Sequence, residues 1–342
     1  MFLPVADMTF SRYASAGALL NSGTVVLYGP SYDGDAYDPV AGTWSATAPI
    51  PSPRFNGHLF ALPDGDALLV GGDPTDARTV RYVSETRSWA WGPALHASRR
   101  FEQAAALADG RILVAGGFGA DAAPTNSAEI YDPATGAFTA TGSMPRPRAG
   151  GSAELLADGR VLIAGGIDAT GNADPCATVY APTTGAFTAG GCFAAATHGR
   201  FMPAAARLHD GRVIVLGGQT YFLGSTRLAP DADVYDPATN RWTQRLAAAR
   251  FEHALTTLDD GRVLAIGGVD DWNSPIETTE IFDPVLDAFR VGPPLIVPRY
   301  GHTATALPGG RVLVAGGRIS ASEWTTSAEV FLSDALFSAD FE

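Results

Sequence analysis

Lysine is absent from this chain of 342 residues; all 23 of its basic residues are arginine. A coding bias that also swells alanine and glycine accounts for the absence, yet its chemical consequence is firm. No Schiff base can form through a lysine amine. Positive charge is short overall, with 36 acidic residues against 23 basic and a formal net charge of −13. A sequence-independent grip on nucleic acid needs a positive surface, so no nucleic-acid partner is expected. Apolar runs of roughly 18 residues are missing, which argues against a membrane-spanning helix. Cysteine occurs twice and the six histidines do not cluster, so no zinc site is expected. The opening Met1-Phe2-Leu3-Pro4-Val5 lacks the basic start and long apolar core of a secretory signal. The chain is expected to be either cytoplasmic or the mature part of an exported protein restarted at Met1.

What is abundant suits short strands and tight turns: 46% hydrophobic residues, punctuated by 39 glycines and 24 prolines. The length would suit about two domains, but single all-β domains also reach it. An internal repeat decides between these. An arginine followed 17 positions later by a glycine recurs at Arg12/Gly29, Arg54/Gly71, Arg99/Gly116, Arg148/Gly165, Arg200/Gly217, Arg250/Gly267 and Arg299/Gly316. Downstream of each comes a β-type run ending in an aromatic: Tyr37, Tyr82, Tyr131, Tyr180, Tyr235, Phe282 and Phe331. Seven residues beyond the first six stands a second aromatic, Trp44, Trp89, Phe138, Phe187, Trp242 and Phe289. Turns such as Asp132-Pro133-Ala134-Thr135-Gly136 join the two, with proline fixing φ and glycine accepting a positive one. Asp-Gly pairs such as Asp109-Gly110 make the other hairpin of each unit. Each unit of 42 to 52 residues is thus four antiparallel strands, and seven set radially cover one another's faces.

The double glycine, the Tyr-Asp-Pro and the aromatic seven residues on resemble the kelch repeat, over nearly the whole chain. The resemblance implies an all-β fold: a seven-bladed β-propeller of four-stranded antiparallel blades, like the central domain of galactose oxidase. Blade 1 departs with Tyr28-Gly29-Pro30, and blade 2 with Val83-Ser84 in place of Asp-Pro. The expected blades are 12–50, 54–95, 99–144, 148–196, 200–246, 250–295 and 299–335, with a tail at 336–342. The last unit lacks a clear fourth strand. Phe2, Met8 and Arg12 repeat the spacing of Phe138, Met144 and Arg148, so residues 2–8 are expected to complete that blade. Leu336-Phe337-Ser338 is the competing segment. Cys176 and Cys192 sit one step out of register across the last hairpin of blade 4, close enough for a disulfide if a bulge intervenes. A disulfide would imply an oxidising compartment, making a secreted or periplasmic bacterial protein the expected setting.

Function is expected on the face that gathers the variable loops between second and third strands with the blade-to-blade connections. Three groups stand there. The blade arginines Arg12, Arg54, Arg99, Arg148, Arg200, Arg250 and Arg299 could each grip a carboxylate with two bonds, or could simply stitch their blades. Tyr221, Trp272 and Trp324 break the repeat and could stack a sugar or anchor a peptide. His302, with His58, His198 and His253, lies near the same face. The copper-radical oxidases that share the kelch propeller need a cysteine crosslinked to a tyrosine, and a tyrosine next to a histidine. Arg299-Tyr300-Gly301-His302 has that flavour, but a glycine intervenes. No Gly-x-Ser-x-Gly elbow is present. Epimerase-like chemistry on sialic acid also occurs on kelch propellers, and Glu102 and Glu252 leave room for it. The expectation is a monomeric, non-catalytic module that binds a glycan or a protein segment, with no catalytic residue, metal or cofactor.

Overall fold

A computed structural model describes residues 1–13, 16–194, 199–222 and 225–333. It is a seven-bladed β-propeller, each blade a four-stranded antiparallel sheet. The second strand of every blade is nearly pure aliphatic, as in Val25–Tyr28, Ala67–Val70 and Val263–Ile266, because both of its faces are covered. Successive side chains point to opposite faces of a strand. Val25 and Leu27 therefore pack against the last blade, while Val26 and Tyr28 pack against the second. Repetition of this alternation builds seven separate hydrophobic clusters, one at each junction between neighbouring blades.

In the outer half of each blade the two repeat aromatics sit directly opposite each other. Tyr37 and Trp44 have ring centroids 4.8 Å apart, and Tyr235 and Trp242 5.0 Å. The seventh pair is made by the chain's beginning. Phe2–Pro4 adds to Ala328–Leu332 as the outer strand, with Phe2 opposite Phe331 at 5.3 Å. Phe2 thus takes the place that Trp44 holds in blade 1, as the spacing of residues 2–12 anticipated. The competing segment 336–338 lies outside the described residues.

The connections follow from strand order. Asp-Gly turns such as Asp109-Gly110, with Gly110 at φ 85°, close the lower face. All second-to-third-strand loops open on the upper face with the blade-to-blade connections. Blade 5 carries the largest, in which Gln219–Phe222 and Ser225–Leu228 form a hairpin of their own. In blade 4, Cys176 faces Cys192 through a register shift before Thr178, and the two form a disulfide. No helix of the structure is long and apolar enough to cross a membrane.

Deleting residues 2–8 exposes the Ala328–Leu332 edge and removes Phe2 and Met8 from two junction clusters. The expected result is a melting temperature lower by several degrees and concentration-dependent self-association, read by calorimetry and light scattering.

Candidate functional site at the upper axial mouth

The seven blade arginines lead to this face but do not open onto it. Each is at most 3% exposed. In blades 3 to 7 the Nη1 atom donates to the carbonyl of the glycine 17 positions on, at 2.9–3.2 Å (Gly116, Gly165, Gly217, Gly267, Gly316). Nη2 reaches an acid on or before the third strand: Glu129 at 2.7 Å, Asp174 at 2.9 Å, Asp233 at 2.6 Å, and Glu280 and Glu329 at 2.8 Å. Arg12 pairs with Asp35 at 2.5 Å, while Arg54 donates to the carbonyls of Asp76 and Arg78. The guanidiniums are buried with internal acceptors on their Nη atoms, while the Nε of Arg12, Arg54, Arg148, Arg200 and Arg250 finds none among the described residues. These seven residues, expected as ligand contacts, are thus held within their own blades.

His302, expected in the same role, is also enclosed. It is 7% exposed and its ring lies against Gly267, in the junction of blades 6 and 7. His253 occupies the equivalent place one blade earlier, against Gly217. Burial, then the neighbouring Arg299 charge, push the His302 imidazole down to about 3. His253 is driven well below its ordinary value by burial, then Arg250. His58, also lowered by burial, hydrogen-bonds through Nε2 to the Glu102 carbonyl at 3.0 Å. His198 and the side chain of Tyr221 lie outside the described residues. Trp272 is 86% exposed on a turn that Asp270 caps by accepting from the Trp272 and Ser274 amides.

What the structure assembles is a cluster around Trp324 that joins blades 6, 7 and 1. The second residue after six of the blade arginines takes a left-handed conformation, seen at Asn56, Phe101, Gly150, Met202, Glu252 and Gly301. Its amide and carbonyl link neighbouring blades: Gly150 donates to Phe101 at 2.7 Å, Met202 to Gly150 at 2.7 Å, and Gly301 to Glu252 at 2.8 Å. At two of these places the residue is glycine, and each opens a slot. A Cβ on Gly301 would stand 2.3 Å from the Tyr13 ring, and one on Gly150 2.3 Å from that of Phe201. Through the first slot Tyr13 crosses blade 7 and donates to Glu252 Oε2 at 2.7 Å. Through the second Phe201 crosses blade 4 to meet Phe101, centroids 6.1 Å apart.

Tyr13 is flanked by Tyr300 at 5.8 Å and by Trp324 at 6.2 Å, and the Arg318 guanidinium lies 4.2 Å over its ring. Trp324 is 36% exposed. Glu252 has its carboxyl raised by burial, against the pull of Tyr13 and Arg318. The phenol of Tyr13 is raised by burial and then by the Glu252 charge. A carboxyl, a phenol and a guanidinium around exposed indole make a surface that can stack on an apolar ring face and hydrogen-bond its substituents. Arg318 was missed in the sequence although its signal was there. It follows the glycine pair where other blades carry Asp73, Phe118, Ile167, Gln219 or Val269.

The copper chemistry of some kelch propellers does not fit these residues. Both cysteines are held in the disulfide on the outer hairpin of blade 4, and the Tyr13 hydroxyl is committed to Glu252. Among the described residues no three His, Cys, Asp or Glu side chains converge to hold a metal ion. Glu102 belongs to the interior: it is 2% exposed and pushed up to about 8 by burial, beside Gly71 and Gly72.

Comparison with known proteins agrees with the architecture. The family model described as Kelch motif matches residues 99–145 and 251–296. An F-box/kelch-repeat protein of Arabidopsis thaliana is 32% identical over 113 residues, 31% of this chain and 30% of that protein. A galactose oxidase of Gibberella zeae is 28% identical over 140 residues, 37% of this chain and 20% of the oxidase. The alignments thus span less than a third of either curated relative. A copper-bound fungal alcohol oxidase of the AA5 family superposes with TM-score 0.75 at 17% identity, covering 98% of this chain and 78% of that one. The structure of YjhT gives TM-score 0.68 at 16% identity, covering 84% and 99%. At such identities the likeness is one of fold.

Two outcomes follow. Replacing Arg299 by Met strands Glu329, itself 2% exposed, with a buried charge. The expected loss of stability is on the order of 3–5 kcal/mol, most of it restored when Glu329 is also replaced by Met; urea denaturation of both variants measures it. Secondly, the folded pKa of His302 lies below the unfolded value near 6.5, so the native state binds fewer protons. Its contribution is intact above about pH 6.5 and drains away as pH falls toward 3. Between pH 7 and pH 5 that amounts to about 2 kcal/mol, and His302→Leu should flatten this part of the profile.

Proposed function

Starting from a chain that is a kelch-repeat β-propeller of the galactose oxidase type, we propose that its upper axial mouth is a carbohydrate-recognition site. The observation that carries the reading is the Tyr13–Tyr300–Trp324 group with Arg318 and Glu252 beside it. Packing within a blade does not require it, because no other blade repeats that combination. Trp324 would stack on a sugar face while Glu252 and Arg318 hydrogen-bond its hydroxyls, whereas the buried blade arginines only hold the scaffold. The disulfide suits work in an oxidising compartment, which supports an exported protein acting on external glycans. A protein segment is the alternative ligand for the same surface, and Trp272, far out on the rim, would contact only such a larger partner.

One observation favours a second reading, an enzyme acting on carbohydrate. Glu252 is a carboxyl with a raised pKa hydrogen-bonded to a tyrosine at the mouth of a channel, an arrangement suited to proton transfer. Binding without turnover separates the two readings.

A glycan array followed by calorimetry on the strongest hit tests the proposal. Trp324→Ala should weaken binding at least tenfold, and Glu252→Gln and Gly301→Ala severalfold, with melting temperatures near that of the parent for the first two. No retained glycan, or full affinity in Trp324→Ala, sinks the location.

A further inference from the structure

A second concavity lies on the same face, over the top of blade 5, where the 219–228 hairpin approaches the blade 6 loop. Its volume is about 450 Å³, the size of a small-molecule site and too small for a folded partner. Its deep wall is the Arg200 network. Arg200 pairs with Asp233 at 2.6 Å and with Asp231, and Asp231 also accepts from Gln244. Two carboxylates share one guanidinium here, so the wall keeps an excess of negative charge.

Three further polar groups line the cavity and are not spent on the fold. Thr220 is 7% exposed, and its hydroxyl has no hydrogen-bond partner among the described residues. Its isolation costs free energy unless something in the cavity meets it. Arg227 is exposed and makes no ion pair among the described residues, neither with Asp271 nor with another acid. Asp271 is exposed and, among the described residues, takes only a long contact, 3.4 Å, from the Leu228 amide. Leu228 and Ala229, 9% and 4% exposed, add a small apolar wall. None of the described lining residues is aromatic, and the described lining is polar and charged with a small apolar wall.

Separate uncompensated carboxylate and guanidinium groups around one small cavity complement a molecule that carries both charges. We propose that this cavity binds a small zwitterion of the α-amino-acid class. The ligand's ammonium faces Asp271 and Asp231, its carboxylate faces Arg227, and a polar side chain reaches the Thr220 hydroxyl. Charge-assisted bonds at both ends give the selectivity, since a one-ended amine or acid leaves a charge of the site unmatched. The proposal stands apart from the carbohydrate reading, which concerns other residues.

The test is titration calorimetry of the full chain with L-serine, L-alanine, glycine and the dipeptide Ala-Ser. Ethanolamine and glycolate serve as one-ended controls. Saturable binding of at least one zwitterion is expected, about tenfold or more tighter than either control. Arg227→Gln and Asp271→Asn should each weaken it about tenfold or more. Both side chains are exposed, so the variants should melt as the parent does. Thr220→Val should narrow the preference for serine over alanine. The proposal is overturned if no zwitterion binds saturably, if the one-ended probes bind equally well, or if both charge variants keep full affinity.

Discussion

A buried guanidinium clamped between a glycine carbonyl and a carboxylate is the interaction on which this propeller is organised. Removing an arginine from water is costly, and the cost is met only when nearly every donor finds an acceptor. In blades 3 to 7 the acceptors come from the blade itself: the glycine that ends the second strand, a loop carbonyl, and an acid of the third strand or the loop before it. The clamp thereby joins the entrance of the innermost strand to the two strands beside it. Above it the loops are free to change length without disturbing the sheet, which is why blade 5 can carry an extra hairpin. The Tyr13–Tyr300–Trp324 aromatic group accordingly lies one layer higher, on residues that the clamp holds up.

Symmetry is broken there by subtraction. Gly150 and Gly301 both have positive φ, 69° and 60°, in a ring position that Asn56, Phe101, Met202 and Glu252 also occupy. Missing side chains at these two places let an aromatic from the following blade lie across and touch the blade behind. The mouth therefore has two aromatic groups, one around Tyr13 and one around Phe201, with Arg318 and Arg100 beside them. Of the two, only the first has a carboxyl and a phenol in contact, which gives it polar chemistry as well as area.

Much of the architecture could be read from local spacing. Seven repeats with paired aromatics define seven sheets, since Tyr131 and Phe138 face each other by turn length alone. The match of Phe2, Met8 and Arg12 to Phe138, Met144 and Arg148 revealed the closing strand, and the one-step offset of the cysteines revealed the bulge. Roles of the arginines were harder, although their partners leave a trace. An acid stands two residues before the repeat aromatic in Asp35, Glu129, Asp233, Glu280 and Glu329. Assigning those acids needs cross-strand register together with burial, and blades 2 and 4 evade the rule by using Asp73, Asp76 and Asp174. Tyr13 and Glu252 are separated by 239 residues and meet only because the ring closes. No periodicity encodes such a contact.

Closure by the first strand also sets an order of events during biosynthesis. Phe2–Pro4 leaves the ribosome more than 320 residues ahead of its partner Ala328–Leu332. Six blades can assemble against one another while the leading segment stays unpaired, and the ring locks only when the final sheet is made. That late step leaves a contact of very high sequence separation to the end of folding. Until then the apolar faces that meet between the first and last blades stay uncovered.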